Sequence, residues 1–341
     1  MSEYQYYEFL ALDNPLTEDQ LTQLRSLSSR AEITTTRFTN EYHYGDFRGN
    51  PATMMERYFD AFLYYANFGT RRLMFRLPLD VLGVAVAEQY CHTDAASIIK
   101  TDEHVIVSLF TDHDPDDYWD EAPGKLAAMV GARSNLAAGD LRLLYLGWLL
   151  AIQSGDEDEV DEDDTEPPVP AGLGNLSASL RAVADFLEID EDLLAAAAQA
   201  SPDLAEYQED GLREWISALP AEGSTELLAR VAAGAGTMVQ AELLRRFRKS
   251  TVRPTDATTP SRTVAELWKA VDGRRADRER AKAEREREEA ERRRAEQIRR
   301  AAQQKAAYAK RLDDLAPQLE AAWERVAALI ETRSGATTTT P

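Results

Sequence analysis

Residues 274–296 hold eighteen charged side chains and five alanines, and nothing else. A segment without a large apolar side chain has nothing to bury, so it cannot be part of a packed core. Opposite charges recur four residues apart: Arg280–Glu284, Arg285–Glu289, Glu288–Arg292, Glu289–Arg293 and Glu296–Arg300. Each such pair supports a helix by about 0.2–0.5 kcal/mol. The stretch therefore reads as a solvated helix. Continued to Ala316, it would span about 65 Å at 1.5 Å per residue. Thr263-x-x-Glu266 supplies the start signal of a capping box, with Leu267, Trp268 and Val271 behind it.

After Ile298 the pattern changes. Positions 298, 305, 312, 319 and 326 are Ile, Lys, Leu, Leu and Val; positions 301, 308, 315, 322 and 329 are Ala, Tyr, Leu, Ala and Leu. That is an imperfect heptad seam of coiled-coil type, with a break or kink expected at Pro317. Leu315, Leu319, Trp323, Val326 and Ile330 form the candidate docking face. It either folds back on the rest of the chain or pairs with a partner's groove or a second copy.

Charge separates this region from what precedes it. The chain has sixty acids and thirty-nine bases, net −21, yet residues 250–341 carry a net +4. An acidic balance argues against a general binder of nucleic acid or anionic membrane, since those partners are polyanions. The basic end Arg245, Arg246, Arg248 and Lys249 fits a helix C-terminus better than a nucleic-acid patch. Arg292, Arg293, Arg294, Arg299 and Arg300 are the other arginines such a patch would use, but their segment is nearly neutral, with ten bases and eight acids. One cysteine, Cys91, excludes an internal disulfide and fits a reducing, cytoplasmic setting. No basic leader is visible, and the longest apolar run, Leu141–Ile152, is shorter than the roughly 20 residues a membrane span needs.

These shifts divide the 341 residues into an α+β module (1–153), an acidic and proline-rich linker (154–172), a small helical bundle (173–249), a second linker (250–262), the charged and amphipathic helices (263–333) and a disordered tail (334–341). In the first module, Tyr4–Leu12 and Ile33–Phe38 read as strands, and Thr17-x-x-Gln20 opens a helix with Leu21, Leu24 and Leu27. Pro51 opens another, in which Met55, Phe59, Phe62 and Ala66 share a face. Leu73, Phe75 and Leu77 alternate as a strand ended by Pro78. Ser97–Lys100 and His104–Leu109 flank a turn as an edge hairpin. Leu141–Ile152 has one charge, Arg142, and reads as a buried helix. In the bundle, Leu180, Val183 and Leu187 share a stripe, and Asp190 caps a second helix. Ser201-Pro202 and Thr237-x-x-Gln240 look like further starts.

Three clusters bear on chemistry. Glu41, His43, Asp46 and Arg48 lie inside ten residues and offer an imidazole with carboxylates nearby, the parts of a general acid/base site. The alternative is a turn at Gly45 and Gly49 with its charges in water. Asp112, Asp114 and Asp116 alternate as in calcium loops, but the required Gly and Glu positions hold Asp117 and Pro123. Cys91-His92 pairs a thiol with an imidazole, though neighbours in sequence usually point apart. No glycine-rich phosphate loop, GxSxG or HExxH occurs, and no cofactor is expected.

The segments YQYYEFLAL, NEYHYGDF, ERYFDAFLYYAN, LYLGWLLA and PPVPAGLGNLS together resemble a family of uncharacterised bacterial proteins. The likeness covers most of residues 1–250 and returns around Ala322–Glu331. It implies no established activity, so no catalytic role passes to these positions. The reading favoured by the sequence is a cytoplasmic interaction or scaffold protein that presents a docking helix. An enzyme with its site near residues 41–48 is the alternative, and a nucleic-acid-associated factor the second.

Overall fold

The structure is a computed structural model, describing residues 4–45, 47–113, 122–155, 160–203, 209–251 and 262–335. The fold is α+β. In chain order its elements begin with β1 (Gln5–Leu10), α1 (Glu18–Leu27), β2 (Glu32–Ile33), β3 (Arg37–Tyr42), α2 (Pro51–Arg57), β4 (Ala61–Ala66) and β5 (Thr70–Pro78). The short α3 (Val84–Ala87), β6 (Ala96–Lys100), β7 (His104–Asp112), α4 (Lys125–Ala137) and α5 (Arg142–Ser154) follow. Then come α6 (Ala178–Phe186), α7 (Glu191–Ala198), α8 (Glu209–Ser217), α9 (Ala221–Arg230), α10 (Gly236–Thr251) and α11 (Val264–Gly335).

The strands form one antiparallel sheet in the order β2-β3-β1-β4-β5-β7-β6. Strand side chains alternate between faces, so the register sorts them. Tyr6, Leu63, Leu73, Phe75, Val107 and Leu109 lie on one face, in a single core with residues of α4, α5, α6 and α7. Tyr7, Phe9, Phe38, Phe62, Met74 and Ile106 lie on the other and pack with Leu21 and Leu24 of α1 and Met54 and Met55 of α2. The stretch read as a separate bundle thus begins inside the first core: Leu180, Val183 and Leu193 are buried there with the sheet.

α5 is buried along almost its whole length, as its sequence predicts. It approaches β6 and β7 closely at Gly147. A Cβ there would sit 2.7 Å from Leu109 Cδ2 and 3.3 Å from both Ala96 Cβ and Cys91 Sγ. Gly147→Ala is therefore expected to lower stability by about 1–3 kcal/mol through overpacking, measured by urea denaturation. An unchanged midpoint would mean that the core yields at this point.

Several local signals hold. Thr17 and Gln20 form the expected capping box, and Asp190 accepts from the N–H groups of Asp192 and Leu193. Others give way. The helix opened by Pro51 ends at Arg57, and residues 61–66 form the central strand β4. Both faces of β4 are covered, so its sequence AFLYYA shows no alternation, and its apolar spacing mimics a helix. The strand expected at Ile33–Phe38 is split into β2 and β3 by a turn. Ser201 opens no helix; its hydroxyl donates to Pro170 O at 2.7 Å and accepts from Leu173 N–H at 3.0 Å. Gly234 and Gly236 do not interrupt the chain, since a π-helical segment, Val231–Ala235, joins α9 to α10 without a restart at Thr237.

The chain divides into two units, Met1–Arg274 and Arg275–Pro341. The root of α11 belongs to the first, where Val264, Leu267 and Val271 are buried in the larger core. Its free N–H groups are met locally. Val264 and Ala265 donate to the carbonyls of Asp164 and Glu162, while Thr263 and Glu266 complete the predicted capping box. The second unit is helical from Arg275 to Gly335, and Pro317 does not end it. Among the described residues no single helix is long and apolar enough to cross a membrane.

Candidate functional site

The sequence-predicted docking side chains all lie exposed on α11. Leu315 and Val326 are 44% and 43% exposed, and Leu319, Ile330 and Trp323 rise from 59% to 70%. Ile298, Tyr308, Leu312 and Leu329 continue the same stripe and are exposed as well. Because the helix runs through Pro317, both heptad positions continue without a break from Ile298 to Leu329, about 48 Å at 1.5 Å per residue. The fifth heptad position is also apolar, with Ala302, Ala309, Ala316, Trp323 and Ile330. That widens the stripe beyond a strict two-position seam, to the width of the apolar face of an amphipathic helix.

The charged stretch before it behaves as a solvated helix. Arg293 donates to Glu289 at 2.6 Å and Arg300 to Glu296 at 2.7 Å, while Arg280 pairs with Asp277 at 3.1 Å. These pairs are exposed, and such contacts contribute little individually.

Among the described residues of the 41–48 cluster, no hydrogen bond or ion pair links Glu41, His43 and Arg48. Glu41 is exposed on β3, and the exposed His43 ring lies 5.5 Å from the ring of Tyr4. Arg48 is exposed and Asp46 lies outside the described residues. Tyr44 is 79% exposed, beside Gly45 in the left-handed conformation of a turn. Asp112 accepts from the Thr70 hydroxyl at 2.7 Å, while Asp114 and Asp116 lie outside the described residues. Among the described residues no three His, Cys, Asp or Glu side chains group as metal ligands would. Cys91 is buried and its thiol is pushed up to about 12 by burial, whereas His92 is exposed, so the two point apart. In the basic end of α10, Arg245 donates to Asp80 O and Arg246 pairs with Glu242. The side chains of Arg248 and Lys249 lie outside the described residues.

Two buried charge networks carry no sequence signature. Asp60, 2% exposed, sits between Arg76 at 2.7 Å and Arg133 at 3.8 Å. Burial alone would raise its pKa, but hydrogen bonding by the Asp13 N–H and the two guanidinium charges hold it below the ordinary value. Glu166, from the acidic linker, is 3% exposed and accepts from Arg262 Nε and Nη2, each at 2.8 Å, and from the Tyr145 hydroxyl. Their partners lie far apart in sequence, so no local spacing announces them. A cleft beside Arg72 on the sheet carries no sequence signature either, since three strands contribute two residues each. In comparisons with known proteins, no family model, curated relative or solved structure matches the chain.

Proposed function

We propose that the chain is a cytoplasmic interaction protein whose terminal helix pairs with the same helix of a second copy, leaving the α+β unit as the presented module. The observation that carries this reading is the exposed apolar stripe from Ile298 to Leu329. Contiguous apolar surface of this kind marks interaction sites.

The stripe is self-complementary when two copies run antiparallel about the midpoint between Leu312 and Leu315. Ile298 then faces Leu329, Ala301 faces Val326, Lys305 faces Ala322, Tyr308 faces Leu319 and Leu312 faces Leu315. Ala301 and Ala322 each meet a longer side chain, and the other three pairs join large apolar ones. The two copies of Lys305, which a parallel in-register pair would bring together, are kept apart. Such a pairing is isologous and closes as a dimer. Cys91, buried and without a disulfide, supports the reducing setting in this reading.

Sedimentation equilibrium of the full chain tests it. A dimer at micromolar concentration is expected, and Leu319→Glu with Val326→Glu should return it to a monomer with the α+β unit still folded. Leu312→Cys with Leu315→Cys should then crosslink between copies under mild oxidation. A monomer at about 100 µM would sink the reading, at a concentration where even micromolar affinities are saturated. A monomer whose residues 312–330 resist hydrogen exchange would replace it with a fold-back of the helix.

A further inference from the structure

The sheet face that packs against α1 and α2 is not fully covered. α2 is seven residues long, and between its N-terminal end (Asn50–Ala52) and the strands β5, β7 and β6 the face stays open. A cleft of about 450 Å³ remains there, a size common for small-molecule sites. The register explains what lines it. Arg72 lies opposite Phe110, and Met74 opposite Ser108, which in turn lies opposite Ser97. All these side chains therefore project from one face.

Arg72 differs from four other enclosed arginines. Arg76, Arg133, Arg142 and Arg262 each hold a carboxylate within 2.8 Å. Arg72 is half-buried with its guanidinium 4.6 Å from the centre of the Phe110 ring, and it has no hydrogen bond or ion-pair contact among the described residues. Burial lowers its pKa, and the charge of Asp94 offsets this only in part. A guanidinium stays protonated in such a place; Asp94, which also lines the cleft, and the Phe110 ring meet part of its charge, and its N–H groups are left to water or a ligand.

Hydrogen-bonding groups surround it. Among the described residues nothing engages the hydroxyls of Ser97 or Ser108, although Ser108 is 4% exposed. Asn50 uses its Oδ1 to accept from the Thr53 N–H, which leaves its amide NH₂ to donate. Met74, Ile99 and Phe110 give the cleft an apolar wall.

We infer that this cleft binds a small organic oxyanion, a carboxylate or a phosphate monoester. The anionic head meets Arg72 and the serine hydroxyls, and the nonpolar body lies along Met74 and Phe110. A charge-assisted hydrogen bond to guanidinium supplies the head-group preference. This inference is independent of how α11 associates.

The test is calorimetric titration of the full chain with phenyl phosphate, benzoate and the neutral benzyl alcohol. The anions should bind and benzyl alcohol should not. Arg72→Gln and Ser97→Asp should each weaken anion binding at least about tenfold, roughly the loss of one strong polar contact. Ser97→Asp keeps the Arg72–Phe110 contact, so it retains the test if Arg72→Gln fails to fold. Tighter binding of phenyl phosphate assigns a phosphate ligand, and tighter binding of benzoate a carboxylate. No binding of either anion up to about 10 mM, weaker than any ordinary specific site, overturns the inference. So does equal binding by the wild type and a folded variant.

Discussion

Asp60→Ala is expected to lower the unfolding free energy by about 3–5 kcal/mol, the cost of leaving buried charges without their partner. The carboxylate meets more than one demand. Its Oδ2 accepts from the N–H groups of Leu12 at 2.7 Å and Asp13 at 2.9 Å, and its Oδ1 from Arg76 Nη2 at 2.7 Å. Arg133 approaches the same oxygen while holding Asp13 at 2.5 Å and donating to Arg76 O at 2.7 Å. Removing the carboxylate strands two amide N–H groups and takes a counter-charge from two guanidinium groups. The loss should appear as a lower urea midpoint with an unchanged slope.

The same group sets an acid dependence. The folded-state pKa of Asp60 is depressed, so its contribution is complete above the unfolded value, near 3.9 for a free aspartate. It is lost as pH falls from there through the lower folded value. The gap in stability between wild type and Asp60→Asn should therefore be widest near neutrality and shrink below about pH 4. A constant gap down to strong acid would exclude Asp60 as the titrating group.

Glu166→Ala should cost a similar amount, about 3–5 kcal/mol, with a different footprint. Glu166 fastens the acidic linker to the root of α11: Thr165 bridges to Thr263, Glu166 N–H donates to Arg262 O at 2.8 Å, and its side chain holds Arg262 and Tyr145. The hydrogen bond from Arg262 is the largest influence raising that arginine's pKa, while burial and then the Glu166 charge raise that of Tyr145. Without the carboxylate, Arg262 is left enclosed and unpaired. Hydrogen exchange should rise first in residues 264–271. Adding Arg262→Met should recover part of the loss, because the stranded charge is then gone. Full additivity of the two changes would show that the pair does not act as a unit.

Helix starts were legible because a cap is a contact within one turn. Thr17 with Gln20, Asp190 with the two amides that follow it, and Thr263 with Glu266 are all as their spacing predicts. The β6–β7 hairpin and the buried α5 were legible for similar reasons, one from a short turn between apolar runs and the other from an unbroken apolar run. The apolar stripe on α11 was legible from its heptad spacing, whereas its exposure was not, since that spacing suits a fold-back equally well. The restart at Thr237 failed because two glycines allow a π turn as readily as a break. The helix expected through Ala66 failed because a strand covered on both faces loses its period of two.

Which segments cap, which carry an apolar stripe, and where a run of paired charges leaves the core can all be read from the chain. Those properties arise between residues a turn or a hairpin apart. That Ser97 lies opposite Ser108 on the strand beside Arg72, that Arg76 and Arg133 close on Asp60, and that one glutamate of an acidic run is buried emerge only in the folded molecule. Sheet register and helix packing join residues tens of positions apart, and the energy of those contacts exists only once the chain has closed around them.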